Sequence, residues 1–244
     1  MQLRKSNKTA CIVGATGLIG RTLWPLLCQS DAYQRVLIYA RSAPDRRELS
    51  RYPKAEWIAL PRQQLRAPEQ AGELVDELFD DLPTGDDFFS CLGTTRAKAG
   101  SAYAFAAVDY SLNYALACAA SKRGYHQYLL VSSSGADPQS WALYPRTKGR
   151  LELDVRSVPF WSTHLFRPGI LVGDRRESRF AESVAADVLQ GVERLLGRRL
   201  NGFGPIEDAE LGKAMVQAAQ QTAGGIFVHD NASILSLSGA FDRT

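Results

Sequence analysis

The sequence has few cysteines, few histidines and no long apolar run, and each shortage excludes a class of protein. Its four cysteines form no Cys-x-x-Cys pair and its three histidines are dispersed, so neither type has the spacing of metal ligands. We therefore expect reduced cysteines in the core of a cytoplasmic protein without a metal. No apolar run reaches the roughly 18 residues that a membrane span needs. The polar first residues do not resemble a secretory signal peptide. The cysteines are Cys11, Cys28, Cys91 and Cys118.

The net charge is also small, because 26 acidic residues nearly balance 29 lysines and arginines. A net charge of +3 is too small to predict nucleic acid as the main partner. The length of 244 residues, with 45% hydrophobic residues, fits one globular domain over residues 1–244. Within it we expect a substrate-side appendage at roughly 173–225. The expected partner is a small-molecule substrate, with no nucleic acid and no membrane span, and a protein partner and an oligomer are left open.

Three glycines spaced three apart are the strongest local signal. Gly14, Gly17 and Gly20 follow an apolar run at residues 9–13 and precede leucines at helical intervals. In such a strand-to-helix turn the first glycine adopts backbone angles closed to other residues, the second admits a pyrophosphate, and the third lets helix and strand pack closely. The helix N-terminus then offers N–H groups to the anion. The pattern predicts a dinucleotide site, with a tight turn without a ligand as the alternative.

A second strand, at residues 35–39, ends where such folds bind the adenosine ribose. NAD-binding proteins carry Asp or Glu there, about 20 residues beyond the glycines, whereas this chain has Ala40, Arg41 and Ser42. A carboxylate would repel a 2′-phosphate, and Arg41 would bind it through charge-assisted hydrogen bonds. We therefore favour NADP(H) over NAD(H) as the cofactor, with a solvated basic loop as the alternative.

Strand-like and helix-like segments alternate along the chain. This order predicts an α/β fold, a Rossmann-type doubly wound parallel sheet with helices on both faces and a small C-terminal substrate-binding region. The residues that follow the fourth strand are mostly small and polar, as is usual beside a cofactor. Leu92, Gly93 and Thr94 are therefore candidates for the wall near the nicotinamide ribose. Helices are predicted at residues 104–123, with a packing role, and at 206–221. The strand candidates are residues 9–13, 35–39, 54–59, 87–95, 127–131, 162–172 and 225–228.

Serine, tyrosine and lysine follow the fifth strand in an order that suits hydride transfer. Tyr144 and Lys148 are four residues apart, so they share one face of a helix and the ammonium favours the phenolate. The phenol, whose ordinary pKa is about 10, is thereby brought closer to exchanging a proton with an alcohol or carbonyl. Ser133, at the strand end, is placed to hold the same oxygen. Pro145 disfavours a helical backbone at the preceding residue, which predicts that Tyr144 caps the helix.

Pro168 and Gly169 interrupt the sixth strand. A proline inside a strand indicates a break or bulge, and at the carboxyl edge of the sheet such a break shapes a wall around a nicotinamide ring. Both residues are therefore candidate cofactor contacts. The charged segment beyond them is either an exposed loop or an anchor for a substrate anion, through Arg175, Arg176 or Arg179.

Together these residues resemble the short-chain dehydrogenase/reductase superfamily, in its atypical or extended type with a GxxGxxG motif. The glycine turn, the serines at 132–134, the Tyr144 and Lys148 pair and residues 167–169 occur in the family order over nearly the whole chain. More narrowly, residues 91–95, 133–137 and 166–179 look like the Tat-interacting-protein branch of NADPH-binding oxidoreductase-like proteins.

The resemblance implies a function and a set of site residues. The catalytic set would be Ser133, Tyr144 and Lys148, with Ser134 as the competing serine and Lys148 also holding the ribose. The implied NADPH contacts are Gly14, Thr16, Gly17, Leu18, Ile19 and Arg41. Residues 59–60 end the third strand without the aspartate that many relatives carry near the adenine.

We therefore expect an NADPH-dependent oxidoreductase of the short-chain dehydrogenase/reductase type, acting on a small carbonyl or related substrate. One alternative is a non-catalytic NADPH-binding redox sensor or regulatory protein. Another is a sugar-nucleotide epimerase, for which the short C-terminal part leaves little room.

Overall fold

The strands in the described part of the chain are all parallel and form two sheets. The computed structural model describes residues 7–60, 79, 81–173, 204–221 and 223–243. The strands are β1 (Lys8–Val13), β2 (Tyr33–Ala40), β3 (Ala55–Ala59), β4 (Asp87–Ser90), β5 (Gln127–Val131), β6 (Ser162–Phe166), β7 (Ile170–Val172), β8 (Pro205–Glu207) and β9 (Gly225–His229). The larger sheet has seven strands in the order β3-β2-β1-β4-β5-β6-β9, and β7 pairs with β8 in the smaller one.

The helices lie between strands along the chain, except for the last one, which follows β9. They are α1 (Leu18–Gln29), α2 (Arg46–Leu49), α3 (Arg96–Ala99), α4 (Ala102–Ala106), α5 (Asn113–Lys122), α6 (Leu143–Val155), α7 (Asp208–Ala218) and α8 (Asn231–Phe241). Between α4 and α5 the chain continues as a π-helical segment, Ala107–Leu112, which we call the π segment. In the described part of the chain no helix is long and apolar enough to cross a membrane.

Two hydrophobic cores cover the two faces of the large sheet. Because side chains alternate along a strand, Ala10 and Ile12 of β1 pack into one core, and Cys11 and Val13 pack into the other. The first core includes side chains of α1 and α7, such as Leu23 and Met215, and the second includes side chains of α5 and α6, such as Leu116 and Leu151. Helices on both faces of a parallel sheet confirm the predicted doubly wound fold.

The strand order reverses between β1 and β4, which are neighbours in the sheet although β2 and β3 intervene in the sequence. In open α/β sheets, ligands bind outside the carboxyl ends of the strands at such a switch point. The segments that follow β1, β4, β5 and β6 therefore define the candidate site.

The structure differs from the sequence prediction in several elements. The single helix predicted at 104–123 consists of α4, the π segment and α5. The sixth strand is broken at Pro168 and Gly169 as predicted, but the pairing of β7 with β8, outside the large sheet, was not predicted. The α8 helix was not predicted. Of the proposed appendage, residues 174–203, including the three candidate arginines, lie outside the described residues, and α7 packs against α1.

Candidate functional site

The glycine turn forms one wall of the site. Gly14 has a φ of +77°, in the left-handed region, and a Cβ atom there would lie 2.5 Å from the carbonyl carbon of Cys91. This position therefore requires glycine. Gly17 is the N-cap of α1, and no side chain caps the helix and no acidic residue lies in its first turn. The start of α1 thus fits a pyrophosphate, because its N–H groups face no competing carboxylate of that turn.

The remaining predicted nucleotide contacts cluster near this turn. Thr16 is exposed, whereas Leu18 and Ile19 at the start of α1 are buried in the core. Arg41 directly follows β2 and is exposed at the same edge of the sheet, and Ala40 pairs with Ala59 of β3. Arg41 therefore lies at the edge of the sheet where the adenosine ribose is expected.

The loop after β4 is held in place by two side chains from the helix that follows. Thr94 donates its backbone N–H to Asp109 Oδ2 over 2.7 Å. Asn113 donates to the carbonyl oxygens of Val108 and Leu92, over 2.9 and 3.4 Å, and accepts from the Ser90 hydroxyl over 2.5 Å. The predicted wall at residues 92–94 is therefore fixed by residues to which the sequence analysis assigned only packing.

The end of β5 carries three serines with different surroundings. Ser132 donates to Glu152 Oε1 over 2.5 Å, and Arg167 binds both oxygens of the same carboxylate, with an Nη2 to Oε2 distance of 2.5 Å. Ser132 is thus engaged in a structural cluster. Ser133 is buried, and its hydroxyl has no hydrogen-bond partner among the described residues. Ser133 and the half-buried Ser134 therefore remain the candidates for contacting a substrate.

Tyr144 and Lys148 lie on α6, which begins earlier than predicted. The N-cap is Ala142, so Tyr144 lies in the first turn, and the prediction that it caps the helix is wrong. Pro145 is tolerated because the first N–H groups of a helix have no intrahelical acceptor. The centroids of the Tyr144 and Phe105 rings are 5.8 Å apart, so α4 borders the phenol.

A close backbone contact sets the position of α6 against the loop that follows β5. A Cβ atom on Gly149 would lie 2.2 Å from the backbone nitrogen of Pro138 and 2.3 Å from the carbonyl carbon of Asp137. The Asp137 N–H also donates to the Pro145 carbonyl over 3.0 Å. Glycine next to Lys148 therefore lets the loop after Ser133 pass directly over the helix that carries the tyrosine and lysine.

Lys148 is buried and forms an ion pair with Asp109. Its Nζ atom lies 2.8 Å from Asp109 Oδ1, and the two side chains are only 5% and 1% exposed. Burial alone would lower the pKa of Lys148, but the charges of Asp109 and then Tyr144 outweigh this effect and raise it. The lysine therefore stays cationic in the site.

The loop after β6 closes the other side of the site. The Ser134 N–H donates to the Pro168 carbonyl over 2.9 Å, and this hydrogen bond joins the loops that follow β5 and β6. Asn231, the first residue of α8, accepts from the Gly169 N–H over 2.7 Å and donates to the Gly204 carbonyl over 2.8 Å. The predicted wall at Pro168 and Gly169 is thus held in place by Asn231 on α8, a helix that the sequence analysis did not predict.

Sequence reasoning missed four residues that hold the site together. Glu152 lies four residues after Lys148, so its helical spacing was available as a signal. The start of α8 also had a signal, because Asp230 accepts from the Ser233 N–H as an N-cap. Asp109 and its contact with Lys148 had none, since no local spacing links the two positions. The four residues are Asp109, Asn113, Glu152 and Asn231.

Solved structures share this fold. The protein is similar to the oxidoreductase ylbE from Lactococcus lactis, with a TM-score of 0.62, 15% identity and 97% of each chain covered. It is similar to a UDP-N-acetylglucosamine 4-epimerase from Methanobrevibacter ruminantium, with a TM-score of 0.63, 14% identity, and 92% of this chain and 77% of that chain covered. The enzyme WbmF from Bordetella bronchiseptica, solved with NAD+, has a TM-score of 0.59 and 13% identity, with 99% of this chain and 79% of that chain covered.

At these identities the similarity establishes the fold. Beyond this shared fold, the resemblance to extended short-chain dehydrogenases/reductases stays a prediction. The narrower resemblance, to the Tat-interacting-protein branch, stays a prediction.

No protein-family model matches the chain. Curated relatives do. Protein FMP52-1 of Scheffersomyces stipitis is 34% identical, and protein FMP52 of Candida albicans is 33% identical; each comparison covers 88% of this chain and 89% of the relative. Both relatives are named mitochondrial proteins, and this contradicts the cytoplasmic location expected from the composition. At this identity over nearly the whole of both proteins, the chain belongs to the FMP52 family.

Proposed function

We propose that the protein is an NADP(H)-dependent oxidoreductase that acts on a small carbonyl or related substrate through Ser133, Tyr144 and Lys148. The observation that carries the proposal is a continuous set of contacts around the loop after β4. One end of this loop lies against Gly14, and its other end, at Thr94, binds the Asp109 carboxylate that holds Lys148. A nucleotide on the glycine turn and a substrate at the tyrosine would thus share one wall.

Each residue has a role that its surroundings support. The nicotinamide, when bound, supplies or accepts a hydride. Tyr144 donates a proton to the carbonyl oxygen, and the Ser133 hydroxyl, which no described residue engages, binds the same oxygen. The buried ammonium of Lys148 holds the ribose and favours loss of the tyrosine proton. Fold-level neighbours that bind NAD+ support a nicotinamide cofactor, and the exposed Arg41 after β2 favours NADP(H).

The test is to offer the protein a panel of aldehydes and ketones together with NADPH and to measure turnover as the loss of NADPH absorbance. Replacing Tyr144 with Phe removes only the hydroxyl, so we expect turnover to fall about 10²–10⁴-fold, the range for a lost general acid, while NADPH affinity is retained. Tyr114→Phe is the matched control, because Tyr114 lies on α5, where its ring stacks against that of Tyr110 with the centroids 6.2 Å apart. Equal losses in both variants would contradict the assignment.

Two other outcomes would replace the proposal. NADPH binding without turnover of any carbonyl, accompanied by ligand-dependent capture of a protein partner, would establish a non-catalytic sensor instead. Interconversion of UDP-sugars with retained cofactor would establish an epimerase, the activity in the name of one fold-level neighbour.

A further inference from the structure

The cation that acts on Tyr144 is not alone in the site. Lys148 Nζ and Asp109 Oδ1 are 2.8 Å apart, and both side chains are almost completely buried. Such a pair has no net charge, so its field at a third group is that of a dipole and weakens faster with distance than the field of a lone ammonium. Tyr144 therefore faces a partly cancelled charge.

Asp109 is fixed on several sides, so the pairing is a built feature of the fold. Its second oxygen, Oδ2, accepts the Thr94 N–H over 2.7 Å. A Cβ atom on Gly93 would lie 3.5 Å from Oδ1 and 3.8 Å from Lys148 Nζ, so the loop backbone passes directly over the pair. Asp109 lies in the π segment, and segments of this type frequently occur at functional sites.

The other titratable groups near Lys148 are already accounted for. Tyr144 and Glu152 lie on the same helix and act on Lys148 through their charge. Glu152 is bound by the Arg167 guanidinium and by Ser132, so its charge is largely compensated there. Across from α6, α4 presents the uncharged Phe105 ring to Tyr144. Asp109 is therefore the carboxylate whose charge governs the ammonium.

We propose that Asp109 is a positioning residue, which holds the Lys148 ammonium at the crevice and weakens its action on Tyr144. This inference rests on the proposed function of Tyr144 and Lys148. Its consequence is a tyrosine that keeps its proton to higher pH than a lysine alone would allow. A protonated phenol donates to a carbonyl oxygen, whereas a phenolate accepts from an alcohol, so Asp109 keeps Tyr144 in the protonated form that carbonyl reduction requires.

The test is a direct titration of Tyr144 in the intact protein. Tyrosine is labelled with ¹³C at Cζ, the resonances are followed by NMR against pH, and Tyr144→Phe identifies the signal that belongs to Tyr144. In Asp109→Asn the amide oxygen still accepts the Thr94 N–H, but the negative charge is gone. As long as Lys148 stays protonated in this variant, we expect the Tyr144 midpoint to fall by about one pH unit or more, the usual effect of a nearby charge.

Two further variants keep the result decisive. Asp109→Glu retains the charge and should restore a midpoint close to that of the unmodified protein. If Asp109→Asn does not fold, Asp109→Ser provides a second neutral side chain, with circular dichroism reporting the fold. A purely structural role would lower the melting temperature of a neutral variant without moving the Tyr144 midpoint.

The possible failures are distinguishable. An unchanged Tyr144 midpoint in a folded neutral variant would overturn the role of Asp109, even if the unmodified protein reduces carbonyls. Absence of turnover in the unmodified protein would overturn the proposed function, and the titration would still report whether Asp109 controls the charge at Tyr144. Where turnover occurs, the pH at which carbonyl reduction loses half of its rate should fall in Asp109→Asn together with the Tyr144 midpoint.

Discussion

The two ends of the central sheet each bury a carboxylate, and they use it differently. At the amino ends of the strands, Asp87 of β4 accepts from Tyr33 over 2.7 Å, Gln127 over 2.9 Å and Lys8 over 3.1 Å. These donors belong to β2, β5 and β1. At the carboxyl ends, Asp109 joins a helix to a loop and to a second helix.

We therefore expect the amino-end contacts to contribute mainly to the stability of the sheet and the carboxyl-end contacts to contribute mainly to ligand binding. The amino-end cluster ties strands to strands, so its loss should loosen the sheet while leaving the crevice residues in their places. The carboxyl-end clusters tie loops to helices, so they position groups that a ligand would contact. Substitutions at the two ends should therefore have separable effects, and three experiments test this, from the largest expected effect to the smallest.

The largest effect is expected from Asp87→Ala at the amino end. The substitution leaves the buried Tyr33 hydroxyl without its acceptor and removes one of two acceptors from Gln127. We expect a loss of about 3 kcal/mol in the free energy of unfolding, measured with urea, because each orphaned buried donor costs about 1–3 kcal/mol. NADPH affinity of the folded protein should be unchanged.

Glu56→Ala is the control for the loss of a carboxylate. Glu56 pairs with Arg35 over 2.6 Å, but both side chains are more than half exposed. Such a pair contributes less than about 1 kcal/mol. A comparable loss of stability in Asp87→Ala and Glu56→Ala would contradict the claim that the amino-end cluster stabilises the sheet more than a surface ion pair does.

A smaller effect is expected from two buried histidines, His164 in the middle of β6 and His229 at the carboxyl end of β9. His164 Nδ1 and His229 Nε2 are 2.9 Å apart, and Ser162 and Ser233 flank the pair. Burial lowers the pKa of His164 to about 3 and that of His229 to about 4. Both values lie below the unfolded value of about 6.5, so the unfolded chain binds more protons and stability falls as pH decreases from 7 to 5.

His164→Phe tests this pH dependence. Phenylalanine keeps an aromatic ring beside Phe166 and Phe227 and removes one titrating group. From the two pKa shifts, we expect the loss between pH 7 and pH 5 to shrink by about 2 kcal/mol, roughly half of the total. Urea unfolding at both pH values measures it. An unchanged pH dependence would show that His164 does not titrate as its burial requires.

The smallest effect is expected from Arg41→Ala at the carboxyl end of β2. Loss of one charge-assisted contact with a 2′-phosphate should raise the dissociation constant for NADPH about tenfold and leave that for NADH unchanged. Arg35→Ala, at the other end of the same strand, is the matched control. Fluorescence titration of both cofactors measures the change, and equal weakening of NADPH and NADH binding would contradict the role of Arg41.

The sequence predicted those features that depend on neighbouring residues. The glycine turn, the strands and the spacing of Tyr144 and Lys148 are local patterns, and the segments that carry them follow neighbouring strands at the carboxyl edge of the sheet. The start of α6 was mispredicted because the preference set by Pro145 is weaker than the packing of Gly149 against residues 137–138.

Features that depend on distant residues could not be predicted in the same way. The ion pair of Asp109 and Lys148 arises only when the π segment and α6 meet beside the loop after β4. The departure of β7 from the large sheet depends equally on its partner β8, which lies far along the chain. No single spacing in the sequence encodes either contact.

The contacts of Asn231 also have a consequence for biosynthesis. The glycine turn is translated early, yet the wall at Gly169 is fastened by the first residue of α8. A ribosome must therefore add more than 200 residues after the glycine turn before the crevice can close around a ligand. Cofactor capture is consequently expected after synthesis rather than during it, and a nascent chain that ends before Asn231 would present the glycine turn without its opposite wall.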